Sequence, residues 1–252
     1  ELHFALRPEP DFDRGTSPDA RPYSLTRGEV VSIPYTTQSA HLFTEPVEIT
    51  LATTTPGAEI RYTLDGSEPG PQSPRYTEPV RVDRSLTLRA KGFKAGAAPS
   101  HTLTLRAEKA RFLPPAATEA ATQGVRYTYY EGRFARTADI PGGRRTATGI
   151  MPEPSIAGAP QDDHFAYLFE GLIRIPRRGI WEFATKSDDG SVLLIDGRKV
   201  VDNDGSHASV TATGRVALEA GLHAFELRYF EDYEGQELSW SWKAPGEKEF
   251  AP

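Results

Sequence analysis

FAYLFEGLIRIPRRGIWEFATKSDDGSVLLIDGRKVVDNDG, Phe165 to Gly205, carries its apolar residues at every second position: Phe165, Tyr167, Phe169, then Ile173, Ile175, then Trp181, Phe183. A period of two puts each set on one face of an extended strand. SVLLI, Ser191 to Ile195, is a short apolar strand bracketed by two acid-plus-glycine turns, SDDG before it and DNDG after the next strand. Between LLI and RKVV, Asp196-Gly197 is the dipeptide of a two-residue hairpin whose central residues both take positive φ.

The same period extends outward from this stretch. Upstream it returns at Val125, Tyr127 and Tyr129. Downstream it returns at Val216 and Leu218, at His223, Phe225, Leu227 and Tyr229, and at Leu238, Trp240 and Trp242. Residues 122–252 therefore read as one large β-sandwich, its core supplied mainly by aromatic side chains. Trp240 and Trp242 face one side together and, with Trp181, read as core, with a sugar-stacking platform as the alternative. Residues 131–163 form a long interruption rich in Gly, Pro and Arg.

A smaller alternating region precedes it: Val47, Ile49, Leu51; Ile60, Tyr62, Leu64; Val80, Val82; Leu86, Leu88, Ala90; Leu103, Leu105. Turn signals at TPGAE, LDGSEPG and KAGAAPS separate these strands, so residues 38–107 read as a compact immunoglobulin-like β-sandwich. Asp65-Gly66 is expected to supply the positive φ angles of a tight hairpin. Residues 108–121 lose the alternation and read as a linker, with a short helix possible at Ala116 to Ala121. Residues 1–37 read as a partly extended leader or the remnant of an upstream domain, with strands possible at Leu2 to Leu6 and Val30 to Ile33. The fold class is all-β: two tandem β-sandwich domains, one small and immunoglobulin-like, one larger and jelly-roll-like.

Composition bounds the function. Gly 22 and Pro 21 among 252 residues suit many short strands and turns. A net charge of -6 lacks the basic footprint that nucleic acid or an anionic membrane surface requires. No apolar run approaches the roughly 20 residues of a membrane helix. With no cysteine, any metal must be held by oxygen ligands or by the 6 histidines. The chain begins at Glu1, which reads as a processed product or an excised piece. HExxH, GxSxG and a phosphate-binding glycine loop are all missing, so no catalytic residue is assigned. Asp162-Asp163, adjacent on a loop, does not predict the cleft of a glycosidase dyad.

IRYTLDGSEP, followed by SPRY and the LTLRA strand, resembles the immunoglobulin-like module at the C-terminal end of chitobiases and β-hexosaminidases, over about residues 41–107. The string GIWEF, SDDGS, IDG, VVDNDG and AGLH resembles the anthrax protective antigen-type domain of flocculins, glycosidases and toxins, over about residues 122–252. In the lectin members of that family two consecutive aspartates joined by a cis peptide bind calcium, and the calcium holds sugar hydroxyls. Asp188-Asp189 match that pair. A second loop completes the lectin site, corresponding here to Glu231, Asp232 and Tyr233. This chain has an acidic pair where those lectins carry an asparagine.

The resemblance thus implies a ligand-binding set of Asp188, Asp189, Glu231, Asp232 and Tyr233, with Asp188, Asp189 and Glu231 as calcium ligands. The other reading of SDDG is a turn closed by side-chain to backbone hydrogen bonds. Asp202 to Gly205 reads as a polar turn, because the twelfth residue counted from Asp202 is Thr213, where a helix-loop-helix calcium loop needs a bidentate Glu. The expected function is a non-catalytic, carbohydrate-binding accessory region of a glycan-processing protein, such as the C-terminal modules of a β-N-acetylhexosaminidase. Its expected partners are a glycan and a neighbouring catalytic domain, and its expected location is extracellular, cell-surface or periplasmic. The alternative is a structural spacer without glycan binding.

Overall fold

The computed structural model describes residues 28–37, 42–116 and 122–251. The expected strand at Leu2 to Leu6 lies outside them, as does all of the expected short helix except Ala116. The regular structure of the described residues is nearly all β, in two β units, as the alternation requires. No helix of the described residues is long and apolar enough to cross a membrane.

The first unit holds β1 (Leu42–Phe43), β2 (Val47–Ile49), β3 (Glu59–Thr63), β4 (Val80–Val82), β5 (Leu86–Phe93) and β6 (Leu103–Lys109). One sheet runs β1-β6-β5-β3 and the other pairs β2 with β4. Ile49, Val82, Leu88 and Ala90 are buried between them, each from the apolar phase of its strand. Asp65-Gly66 is not a tight hairpin. Gly66 alone takes positive φ, and Asp65 Oδ1 instead accepts from the backbone N–H and the hydroxyl of Ser67. The chain returns to β3 only at residues 74–76, where Tyr62 N–H donates to Pro74 O and Tyr76 N–H to Ile60 O.

Residues 28–37 pack on this unit. Val31 is buried and its N–H donates to Ala98 O, while Tyr35 and Ala52 exchange backbone bonds. The expected strand at Val30 to Ile33 is reduced to isolated bridges at Val30 and Tyr35.

The second unit comprises β7 (Val125–Glu131), β8 (Arg144–Met151), β9 (Phe165–Ile175), β10 (Gly179–Asp188), β11 (Ser191–Ile195), β12 (Arg198–Asn203), β13 (Val210–Leu218), β14 (Gly221–Glu231) and β15 (Glu237–Lys243). A three-stranded sheet β13-β10-β15 faces a six-stranded sheet β12-β11-β14-β9-β7-β8. Phe165, Phe169, Phe183, Leu193, Leu227 and Tyr229 fill the space between them. Asp196 and Gly197 both take positive φ and join β11 to β12 in a two-residue turn, as their dipeptide predicts.

Two features set the ends of this sandwich. At one, His223 is fully buried, with Nδ1 2.6 Å from Asp196 Oδ2 and Nε2 3.0 Å from Glu219 O. The segment read as a linker is docked at the same end: Leu113 N–H donates to Ala217 O, Glu219 N–H to Leu113 O, and Ala116 N–H to Leu222 O. At the other end, β10 and β14 finish beside the start of β15, and the acidic residues gather there.

Candidate cation and ligand site

β10 ends on Asp188, directly across from Glu237 at the start of β15. The peptide from Asp188 to Asp189 is cis. Gly190 follows because nothing larger fits: a Cβ there would lie 2.4 Å from Phe230 Cε1 and 2.9 Å from the backbone of Gly205. The turn is closed from behind by buried hydroxyls and an amide. Asn203 Nδ2 donates to Ser187 Oγ and to Val210 O, Ser187 Oγ lies 2.8 Å from Ser191 Oγ, and Ser191 Oγ donates to Thr185 Oγ1. Asp204 caps the neighbouring loop, accepting from Thr137 N–H at 2.7 Å. The DNDG stretch is therefore a polar support to the site.

Glu231 reaches the same place from β14. It is in phase with Phe225, Leu227 and Tyr229, so its side chain points inward, and it is 0% exposed. One carboxylate oxygen from each of Asp188, Asp189 and Glu231 lies within 4.8 Å of the other two. Asp189 is 4% exposed and Asp188 half-buried, leaving one flank of the group open to solvent.

Backbone donors fix the aspartates. Asp189 Oδ1 accepts from His207 N–H at 2.8 Å and its Oδ2 from Asp232 N–H at 2.9 Å; Asp188 Oδ2 accepts from Ser209 N–H at 3.1 Å. The Tyr229 hydroxyl lies 2.6 Å from Asp188 O and 3.1 Å from Glu231 Oε2. Glu231 Oε1, in contrast, is buried without a hydrogen-bond partner. Burial, then the Asp189 carboxylate beside it, pushes Glu231 up to about 8. The same burial and the neighbouring acids raise the Tyr229 phenol well above its ordinary value.

Asp232 and Tyr233 take other positions. The Asp232 carboxylate turns towards His164, with Oδ1 3.3 Å from Nδ1, and only its backbone joins the aspartate pair. Tyr233 stands 63% exposed on the loop leading to β15. Three contributors have no signal in the sequence: Asp163, His164 and Ser209. Asp163 Oδ1 accepts from Glu234 N–H at 3.3 Å, and His164 holds positive φ beside Asp232. Nothing in the DDH triplet signals this, because its contacts are some 70 residues away in sequence. The strand period signals Tyr229, and Glu231, named through the resemblance, continues the same phase two residues on.

The three carboxylates fit calcium. Oxygens sharing one calcium ion, each about 2.3–2.6 Å from it, stand no more than about 5 Å apart, and the ion takes 6–8 of them. Among the described residues no lysine or arginine pairs with Asp188, Asp189 or Glu231. Two buried carboxylates, one with an orphaned oxygen, cost free energy that a divalent cation would offset.

Residues 122–252 match the PA14 domain and residues 38–104 the chitobiase/β-hexosaminidase C-terminal domain. The chain belongs to the PA14 domain family. A β-hexosaminidase of Porphyromonas gingivalis is 24% identical over 225 residues, covering 83% of this chain and 28% of that protein. The chain thus spans under a third of the length of this curated relative. Among solved structures, the PA14 sugar-binding domain of an RTX adhesin is 19% identical with a TM-score of 0.42, covering 52% of this chain and 94% of its own. The epithelial adhesin 9 A domain of Candida glabrata, solved with Galβ1-3GlcNAc, is 9% identical with a TM-score of 0.43, covering 56% of this chain and 92% of its own.

Proposed function

We propose that the PA14 unit binds a glycan through a calcium ion held by Asp188, Asp189 and Glu231, and that the two units form a non-catalytic accessory region of a glycan-processing protein working outside the cytoplasm. The observation that carries this reading is the trio of convergent carboxylates with an unpartnered, buried Glu231 oxygen. Calcium, when bound, supplies coordination positions beyond those three ligands, which sugar hydroxyls can fill. The chain's own part is positional. Backbone N–H groups of His207, Asp232 and Ser209 set the carboxylates, while Tyr233 stands exposed on the loop leading to β15. Support for the accessory role comes from the pairing of a PA14 domain with a hexosaminidase C-terminal domain, and from the β-hexosaminidase relative, most of whose length lies outside this match. A neighbouring catalytic domain would then be the partner.

One observation favours a spacer reading. The Ser187, Ser191, Thr185 and Asn203 network closes the SDDG turn with protein groups alone. Titrating calcium and a glycan panel into the wild-type chain and the Asp188→Ala, Asp189→Ala double variant separates the two. Calcium-dependent glycan binding by the wild type, lost in the variant, is expected; equal silence from both leaves the spacer.

A further inference from the structure

The two sheets of the PA14 unit are unequal, three strands against six, which leaves a gap beside the smaller sheet. The chain between β8 and β9 partly covers this gap. A cavity of about 1040 Å³ remains between that segment and β15. Trp240, Trp242 and Phe225 form its aromatic wall, and Glu153, Asp162 and Arg174 are among its polar groups. Trp240 stands 5.0 Å from the Phe225 ring and 5.5 Å from Trp242, centroid to centroid.

These tryptophans differ from the third. Trp181 is 2% exposed and its indole N–H donates to Arg177 O. Trp240 and Trp242 are half-buried, and among the described residues their indole N–H groups make no hydrogen bond. Buried indoles ordinarily find an acceptor, so two that open onto a cavity present both an apolar surface and a donor to whatever enters. The cavity neighbours the cation site without including its carboxylates. Gln236 and Glu237 line it, and Glu237 sits directly across the ladder from Asp188. Asp162 lines it too, while the adjacent Asp163 anchors the Glu234 backbone.

We propose that this cavity is an extended subsite for an oligosaccharide whose terminal sugar lies at the Asp188, Asp189 and Glu231 site, a reading that rests on the glycan function proposed above. A sugar chain presents C–H faces to the indoles and hydroxyls to the carboxylates of Glu153 and Asp162 and to Arg174. The volume sits at the top of the ~300–1,000 Å³ range of drug-sized ligands, room for about two or three linked pyranoses rather than one.

Two series of β-linked N-acetylglucosamine and β-linked galactose oligomers, one to four units long, test this in calcium buffer. Acrylamide quenching of tryptophan fluorescence reports Trp240 and Trp242, because Trp181 is enclosed. Affinity is expected to rise with length, about tenfold for the first added unit, with matching protection from quencher. Leu172→Ala and Arg174→Ala change exposed cavity residues away from the carboxylates. They should leave monosaccharide affinity and melting temperature unchanged and flatten the length dependence. Calcium-dependent binding with no length dependence overturns the subsite and leaves the proposed function standing. No binding at any length removes both. Protection of the tryptophans by raised protein concentration alone, with a dimer in sedimentation, would instead assign the cavity to a second copy of the chain.

Discussion

Glu231 Oε1 has no donor within the fold, and its carboxylate shares a small space with Asp188 and Asp189. Its value, raised from 4.5 to about 8, means that between those limits the folded chain holds a proton the unfolded chain has released. In chelator this contribution is complete below about pH 4.5 and is lost as pH rises through about 8. Thermal melts in EDTA should therefore show wild-type stability falling across that window, while Glu231→Gln, which carries no proton to lose, runs flatter and melts higher near neutrality. The same substitution should abolish any stabilisation by calcium. For the wild type, calcium at 100 times its dissociation constant is expected to add about 2.7 kcal/mol, and Asp188→Asn or Asp189→Asn should erase the gain in the same melt. The aspartate pair and Glu231 are legible in the sequence through the resemblance, and the phase of β14 then accounts for the inward direction of Glu231. Asp163, His164 and Ser209 were not, because backbone geometry in distant loops brings them to the site and leaves no periodic trace.

Strands with a buried face declared themselves. β9, β10, β14 and β15 each place alternate aromatic or aliphatic residues inward, and that period fixes which side chains meet. β8 was invisible inside the Gly/Pro/Arg-rich interruption. RRTATGIM is a sheet-edge strand whose residues are mostly exposed, so burial imposes no pattern on it. The two tryptophans of β15, expected in the core, do pack against it, and they remain half-buried. Period reveals which face a residue occupies, while the mismatch in strand number that leaves that face open is a property of the whole sandwich. Among the glycines of the unit, Gly214 on β13 has the least room for a side chain. A Cβ on Gly214 would stand 1.6 Å from the carbonyl oxygen of Val200 on β12. Gly214→Ala should cost about 3 kcal/mol, measured as a fall in the urea midpoint, because backbone rather than a flexible side chain must move.

The two β units are separate cores joined through residues 110–116, and the cation site belongs to only one of them. Calorimetry should therefore resolve two transitions, of which calcium raises the PA14 one and leaves the other in place. A single transition shifted as a whole would show that the docked segment couples them. Arg198 and Glu108 pair across this junction at 2.6 Å, but both are exposed, and Arg198→Ala should change either midpoint by about 0.5 kcal/mol or less.

The docking of Leu113 against Ala217 and Glu219 also determines how the molecule bears load. That seam lies where β14 begins, and Glu231 lies where it ends, the last of its 11 residues. At about 3.3 Å per residue, the strand holds roughly 35 Å between them. Tension between a captured ligand and the first unit would therefore run along the full length of β14, a strand paired on both sides by β11 and β9. Force of that direction shears many ladder bonds at once instead of peeling them singly. The end that carries the carboxylates and the end docked to the connecting segment are thus joined by a central strand of the sheet, as in a tow bar.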